Sequence, residues 1–181
     1  AYPTVVSSEE IVAGTMIVWS GGGSQYSASF LPLGGSRYYA NELVPERLEA
    51  VRIDDPRFVA LPGDFREIEL PEKVDIVFAS LVMMFVIPML DQFVERIGQS
   101  LKPGGTFVSM DANGLCPLTV YRRFADRRAN PARLFSPFSY ANAFRRHGFA
   151  IDKLVPFTAP VPRTTGNWLL GTTFWLRATK K

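Results

Sequence analysis

The chain has 181 residues, 47% hydrophobic and 20% charged. This globular composition excludes a disordered or collagen-like chain and predicts a single domain over residues 1–181. Its one cysteine, Cys116, and one histidine, His147, exclude a disulfide framework, a multi-cysteine zinc site and a His-rich metal centre, so no metal is expected. The lone thiol fits a reducing, cytoplasmic setting. The net charge of +3 conceals an asymmetry: residues 1–100 carry seven basic against fourteen acidic side chains, residues 101–181 thirteen against three. A basic C-terminal half predicts contact with something anionic, set against the plainer reading of a solvated helix face.

The opening segment AYPTVVSSEE lacks the basic and apolar regions of a signal peptide. Thr15–Trp19 predicts a buried strand running into the Gly-rich turn at Gly21–Gly23, with a short helix from Gln25 to Leu33. Arg37–Asn41 predicts a second strand, Pro45–Arg52 a helix opened by proline, and Phe58–Leu61 a third strand stopped by Pro62-Gly63-Asp64. Ile76–Leu90 is an uncharged run of 15 residues containing Pro88, too short to cross a bilayer. It reads as a buried strand, Val74–Ala79, entering a helix, which predicts a soluble protein with no transmembrane segment.

Leu90, Phe93, Val94, Ile97 and Leu101 share one face of a helix over Pro88–Leu101, stopped by Lys102-Pro103-Gly104-Gly105. Thr106–Met110 predicts a fifth strand, followed by an irregular basic insertion at about 112–138. Ser139–His147 predicts a helix ended by Gly148. Phe149–Phe157 and Asn167–Ala178 predict a closing antiparallel pair at one edge. Alternating strands and helices imply an α/β fold with a mostly parallel sheet, whose ligand crevice lies beyond the strand C-termini.

Three features fall at the predicted ends of the first three strands. Gly21-Gly22-Gly23 lets a ligand approach the backbone closely. The carboxylate of Glu42 can accept both hydroxyls of a ribose. Asp64 is placed to accept a hydrogen bond from an adenine amino group. Each alone is as well explained by a turn or a helix cap; in order, at strand ends, they describe an adenosine pocket.

Here the sequence resembles the class I S-adenosylmethionine-dependent methyltransferases, from about Thr15 onward. Tyr39-Ala-Asn-Glu42-Leu-Val-Pro-Glu-Arg-Leu-Glu-Ala-Val-Arg52 is similar to that family's second strand and helix, and Leu61-Pro-Gly-Asp64-Phe65 to its adenine loop. Leu101-Lys-Pro-Gly-Gly-Thr-Phe-Val108 is similar to its lead into strand five, and Phe144-Arg-Arg-His-Gly-Phe149 to its last helix turn before strand six. The resemblance implies a Rossmann-like sheet of seven strands, mostly parallel, with an antiparallel C-terminal strand and helices on both faces. It implies S-adenosylmethionine as cofactor, held by Ser20, Gly21 and Gly23, by Glu42 on the ribose and by Leu43 packed on the adenine. Asp64 and the Phe65 backbone would read the adenine edge, with Ser80 near the methionine portion.

The sequence departs from the family's first motif, placing Trp19 at its acidic position and Gln25 at its third glycine. About 14 residues precede the first strand, which predicts a trimmed N-terminus, a partner subunit over the cofactor site, or closure by the basic insertion.

Methyl transfer from a sulfonium needs alignment and exclusion of water, plus a general base for an oxygen acceptor. Asp111, at the end of predicted strand five, is the candidate base, while His147 reads as a helix-end residue. Tyr121, Arg122 and Tyr140 are candidate acceptor-site residues, with core packing the alternative for the tyrosines. Met83, Met84, Phe85 and Met89 read as core. Ser24 and Ser80 lack a basic partner, which sets hydrolase chemistry aside. The function expected is methyl transfer to a small-molecule or lipid-like acceptor, an anionic one being within reach of the basic segment. The alternatives are a degenerate family member serving as a binding or scaffold partner and, on the basic half alone, an RNA methyltransferase.

Overall fold

The computed structural model describes residues 15–20, 35–49, 53–125, 134–158, 163–164 and 166–181. The backbone alternates as the apolar runs dictate. The elements are β1 (Thr15–Ser20), β2 (Arg37–Glu42), α1 (Pro45–Glu49), β3 (Phe58–Pro62), β4 (Val74–Ser80), α2 (Leu90–Ser100), β5 (Leu101–Ala112), α3 (Pro117–Ala125), α4 (Pro137–Arg146), β6 (Phe149–Thr158), β7 (Arg163–Thr164) and β8 (Thr173–Lys180).

All eight strands join one mixed sheet in the order β3-β2-β1-β4-β5-β8-β6-β7. The first five strands in chain order are parallel to one another, and β8 runs antiparallel to both β5 and β6. The sheet thus has one strand more than the seven expected, because Arg163 and Thr164 pair with Thr158 and Phe157 as a two-residue edge. The closing β6–β8 pair is antiparallel as expected, but β8 lies inside the sheet and β7 takes the edge. The expected start of the last strand at Asn167 is also corrected. The Asn167 side chain accepts from the amide of Leu169 at 2.9 Å, turning the chain before the strand begins at Thr173.

The core lies between the sheet and the pair α2 and α4. Phe93, Val94 and Ile97 of α2 are buried, as their spacing predicts. Phe107 of β5 stacks on Phe144 of α4 with ring centroids 4.7 Å apart, and Phe144 meets Phe149 and Tyr140 edge-on. Helix α4 starts at the Ser136 cap and ends at His147, before Gly148 at φ +82°. His147 Nε2 and Arg146 both lie 3.0 Å from Asp91 Oδ1, tying the end of α4 to the start of α2. The expected Gln25–Leu33 helix lies outside the described residues.

Two expectations change between the strands. The run after β4 forms two short 3-10 turns, Met83–Phe85 and Ile87–Met89, before α2 begins at Leu90. The insertion expected to be irregular contains helix α3. The Lys102-Pro103-Gly104-Gly105 signal does end a helix at Ser100. Gly104 takes φ +75°, and a Cβ on Gly105 would stand 2.9 Å from the Lys102 carbonyl oxygen.

Candidate functional site

Parallel strands end together, so whatever follows β1 to β4 converges on one edge of the sheet. There, a cleft of about 470 Å³ is lined by Asn41 to Val44 after β2, by Gly63 to Arg66 after β3, and by Val82, Phe85, Val86, Met89 and Phe93 after β4.

The ends of β2 and β3 are locked by a short polar network. The side-chain amide of Asn41, buried at the end of β2, donates to the carbonyls of Leu61 (2.8 Å) and Gly63 (2.9 Å). The Gly63 amide returns a bond to the Glu42 carbonyl at 3.0 Å, with Gly63 at φ +119°. This fastens the Asp64 loop beside Glu42. Asn41 is a site residue the sequence reading missed; an amide placed just before a candidate ribose acid, on the opposite face of the strand, was the available signal.

Glu42 is buried. Its Oε1 accepts from the Val44 amide at 3.3 Å and lies 3.8 Å from the Arg47 guanidinium. Its Oε2 is buried with no donor among the described residues. A buried carboxylate oxygen left unmatched is costly unless a ligand completes it. Leu43 stands largely exposed at the rim of the cleft, and Phe65 is buried against its floor.

Asp64 is already engaged. Arg66 grips it as a fork, with Nε 3.0 Å from Oδ1 and an Nη 2.5 Å from Oδ2, while the Arg66 amide donates to Oδ1 at 2.9 Å. This pairing holds the Asp64 carboxyl below the usual carboxylate range. The same guanidinium lies over the Phe93 ring, 5.4 Å from its centroid, and 3.0 Å from the Met89 sulfur. Arg66 therefore spans the cleft between the Asp64 loop and α2, a role that an i, i+2 spacing does not announce.

The chain turns sharply after β4. Leu81, at φ 54°, is the one non-glycine among the described residues in the left-handed region, and its amide donates to the Met110 carbonyl at 2.8 Å. Such a backbone costs on the order of 1–2 kcal/mol and is typically kept at sites. Ser80, just before it, is buried, and its hydroxyl has no partner among the described residues. Ser20 pairs with Ser80 across the β1–β4 ladder, so both strand ends reach this edge. Gly21 and Gly23, and with them the glycine turn, lie outside the described residues. Met83 is core as read, but Phe85 and Met89 line the cleft.

The candidate base and acceptor residues fall elsewhere. Asp111 is fully buried at the end of β5, and among the described residues no hydrogen bond of good geometry reaches its oxygens. Burial pushes its carboxyl well above the usual carboxylate range, opposed by the nearby Ser109 hydroxyl and the amides of Met83 and Met84. It lies against the loop after β4 and is not among the residues that line the cleft. Tyr140 is likewise fully buried, packed among Phe135, Phe144 and Phe174, and its hydroxyl donates to Ser109 at 3.0 Å. Its position corrects the acceptor-site reading in favour of core packing. Tyr121 and Arg122 are exposed on α3.

Comparison with known proteins accords with this geometry. The methyltransferase domain family matches residues 19–109, half of the chain. No curated protein matches the chain. An S-adenosylmethionine-dependent methyltransferase from Mesorhizobium loti superposes with a TM-score of 0.77 at 18% identity, covering 98% of this chain and 94% of that one. The glycopeptide N-methyltransferase MtfA, solved with S-adenosyl-L-methionine, gives 0.71 at 18% identity, covering 97% and 87%. A protein solved in complex with the Haloferax volcanii Trm112 methyltransferase activator gives 0.70 at 21%, covering 97% and 88%. With its strand order, its reversed β8 and the matched domain, the chain belongs to the class I S-adenosylmethionine-dependent methyltransferases, whose cofactor is S-adenosylmethionine.

Proposed function

We propose that the cleft at the ends of β2, β3 and β4 takes the adenosine of S-adenosylmethionine, and that the chain passes the methyl group to a small-molecule or lipid-like acceptor. The observation that carries this is Glu42 Oε2, buried without a donor among the described residues beside a cleft walled by Val82, Phe85, Val86, Met89 and Phe93. An unmatched acceptor next to an apolar slot fits a ligand with a sugar hydroxyl and a flat heterocycle.

Glu42 accepts from the ribose hydroxyls, and Leu43 covers one face of the adenine. Asp64 and the Phe65 backbone read the adenine edge, with Arg66 holding the Asp64 carboxylate ionised. Ser20 and Ser80, at neighbouring strand ends, border the methionine portion, where Gly21 and Gly23 let the backbone approach. The cofactor supplies an electrophilic methyl on a sulfonium; this chain orients it, and the apolar wall keeps water from the reacting centre. The basic stretch from Arg122 to Arg133 suits an anionic acceptor. Cys116, free and buried, is compatible with the cytoplasmic setting expected for its lone thiol.

Calorimetric titration of the purified chain with S-adenosylmethionine and S-adenosylhomocysteine tests this. Micromolar binding is expected. Loss of a hydrogen bond to a charged group costs about 1.5–3 kcal/mol, so Glu42→Ala should weaken binding about 10- to 150-fold. Binding that Glu42→Ala and Asp64→Ala leave intact would move the cofactor out of this cleft.

A further inference from the structure

Helix α3 is inside out. On a helical wheel, Pro117, Leu118, Val120, Tyr121, Phe124 and Ala125 form one broad apolar face, and Thr119, Arg122 and Arg123 the polar one. In an ordinary surface helix the apolar face packs inward. Here Leu118, Tyr121 and Phe124 are 45%, 69% and 79% exposed, while Thr119 and Arg123 are partly covered, and no residue of the helix is buried.

The orientation is fixed by hydrogen bonds rather than by apolar packing. The Thr119 hydroxyl donates to the Thr172 carbonyl at 3.0 Å. Just before the helix, the buried Asn113 side-chain amide donates to the carbonyls of Trp168 and Gly171, each at 2.7 Å, and its Oδ1 accepts from Leu115. Gly114 passes so close to Phe135 that a Cβ would lie 2.6 Å from the Phe135 carbonyl oxygen. Asn113 thereby joins the root of α3 to the 167–172 turn, which exposes Leu169 and Leu170 as well.

We propose that the apolar face of α3 is a peripheral docking surface for an anionic lipid bilayer. Charge complementarity selects this occupant. Residues 117–133 carry five arginines, Arg122, Arg123, Arg127, Arg128 and Arg133, against one acidic residue, Asp126. Leucine and aromatic side chains on one face with Arg122 and Arg123 on the other make an interfacial helix, lying in the headgroup boundary. A surface for RNA would need the cations but not the exposed Leu118 and Phe124. No helix among the described residues is long and apolar enough to cross a membrane, so the docking is peripheral. This inference stands on α3 alone and is independent of the cofactor cleft.

The test is co-sedimentation of the full chain with phosphatidylglycerol–phosphatidylcholine vesicles and with pure phosphatidylcholine vesicles. Binding to the anionic vesicles, weakened by salt, is expected, and little to the neutral ones. Leu118→Ser with Phe124→Ser should cut partitioning by roughly ten-fold or more per side chain, and Arg122→Glu by at least about five-fold. S-adenosylhomocysteine binding and the melting curve of the serine variant should match the parent, because both positions are exposed. Absence of vesicle binding overturns the proposal. So does binding that the serine variant retains, or binding to a single-stranded RNA oligonucleotide that outcompetes the vesicles. A parent dimer that the serine variant turns into a monomer, with no vesicle binding, assigns the face to a second copy instead.

Discussion

Replacing Asp111 by asparagine should stabilise this protein. Asp111 is fully buried under the loop after β4, with the Ser109 hydroxyl and the amides of Met83 and Met84 as its nearest polar neighbours. Burial raises its folded pKa, so the native state holds a proton that the unfolded chain releases near pH 3.9. The sign follows directly. The stability contribution of a carboxyl with a raised pKa is complete below the unfolded value and is lost as pH climbs toward the folded one. Over that window the loss runs at about 1.4 kcal/mol per pH unit, so by pH 7 it reaches at most about 4 kcal/mol.

Asparagine keeps the shape of the protonated acid, with N–H groups where the acid has its O–H and the same carbonyl beside the loop amides. It carries no proton to lose. Urea unfolding of parent and Asp111→Asn, followed from pH 4 to pH 7, should therefore give curves that diverge with pH, the variant becoming the more stable. Parallel curves, or a variant weaker at pH 7 than at pH 4 relative to the parent, would refute the reading of Asp111 as a buried neutral acid. The outcome also bears on catalysis, because the higher the pKa of a buried carboxyl is raised, the smaller its ionised fraction available as a general base.

Two further outcomes follow from close packing and charge. Gly114→Ala forces its methyl against the Phe135 backbone, and overpacking of this kind costs on the order of 1–3 kcal/mol; a lowered urea midpoint at unchanged m-value is expected. Asp91 sits below the usual carboxylate range through its bonds to His147 and Arg146. Its contribution is present above about pH 3.9 and fades as pH falls further. Because it is largely exposed, Asp91→Asn should flatten the acid limb of the stability profile by only a few tenths of a kcal/mol.

The parallel half of the sheet was legible because its strands are short apolar runs closed by recognisable punctuation: Glu42 at the end of β2, Pro62-Gly63 at the end of β3, Lys102-Pro103-Gly104-Gly105 before the body of β5. Glu42 and Asp64 stood out for the same reason, since strand ends are where this architecture gathers polar side chains. What stayed hidden depends on contacts between distant residues. Val82 to Met89 is as apolar as a strand or a helix, and nothing local records that Leu81 would take a left-handed backbone. The α3 segment was masked by its arginines, and its helical face points the wrong way for a core. Tyr140 and Asp111 looked available because their burial is imposed by segments distant in sequence: Ser109 of β5 and Phe174 of β8 against Tyr140, and the loop after β4 against Asp111. The Arg66 fork on Asp64 is local, yet two residues apart along a loop is not a spacing that periodicity can flag.

The position of β8 has a consequence for how the molecule is made. It is the latest of the described strands in chain order, yet it is hydrogen-bonded on both sides, pairing Thr106 with Thr179 and Phe149 with Lys180. During synthesis β1 to β5 can align as soon as they emerge, but β5 then presents a bare edge, and β6 has no neighbour within the sheet body. Closing that gap requires a strand made later, over a sequence separation of some 70 residues between Thr106 and Thr179. Until it arrives, the open ladder of β5 is a template for another nascent chain. Yield on expression should therefore depend on temperature and chaperone supply more steeply than the finished sheet's stability alone would suggest.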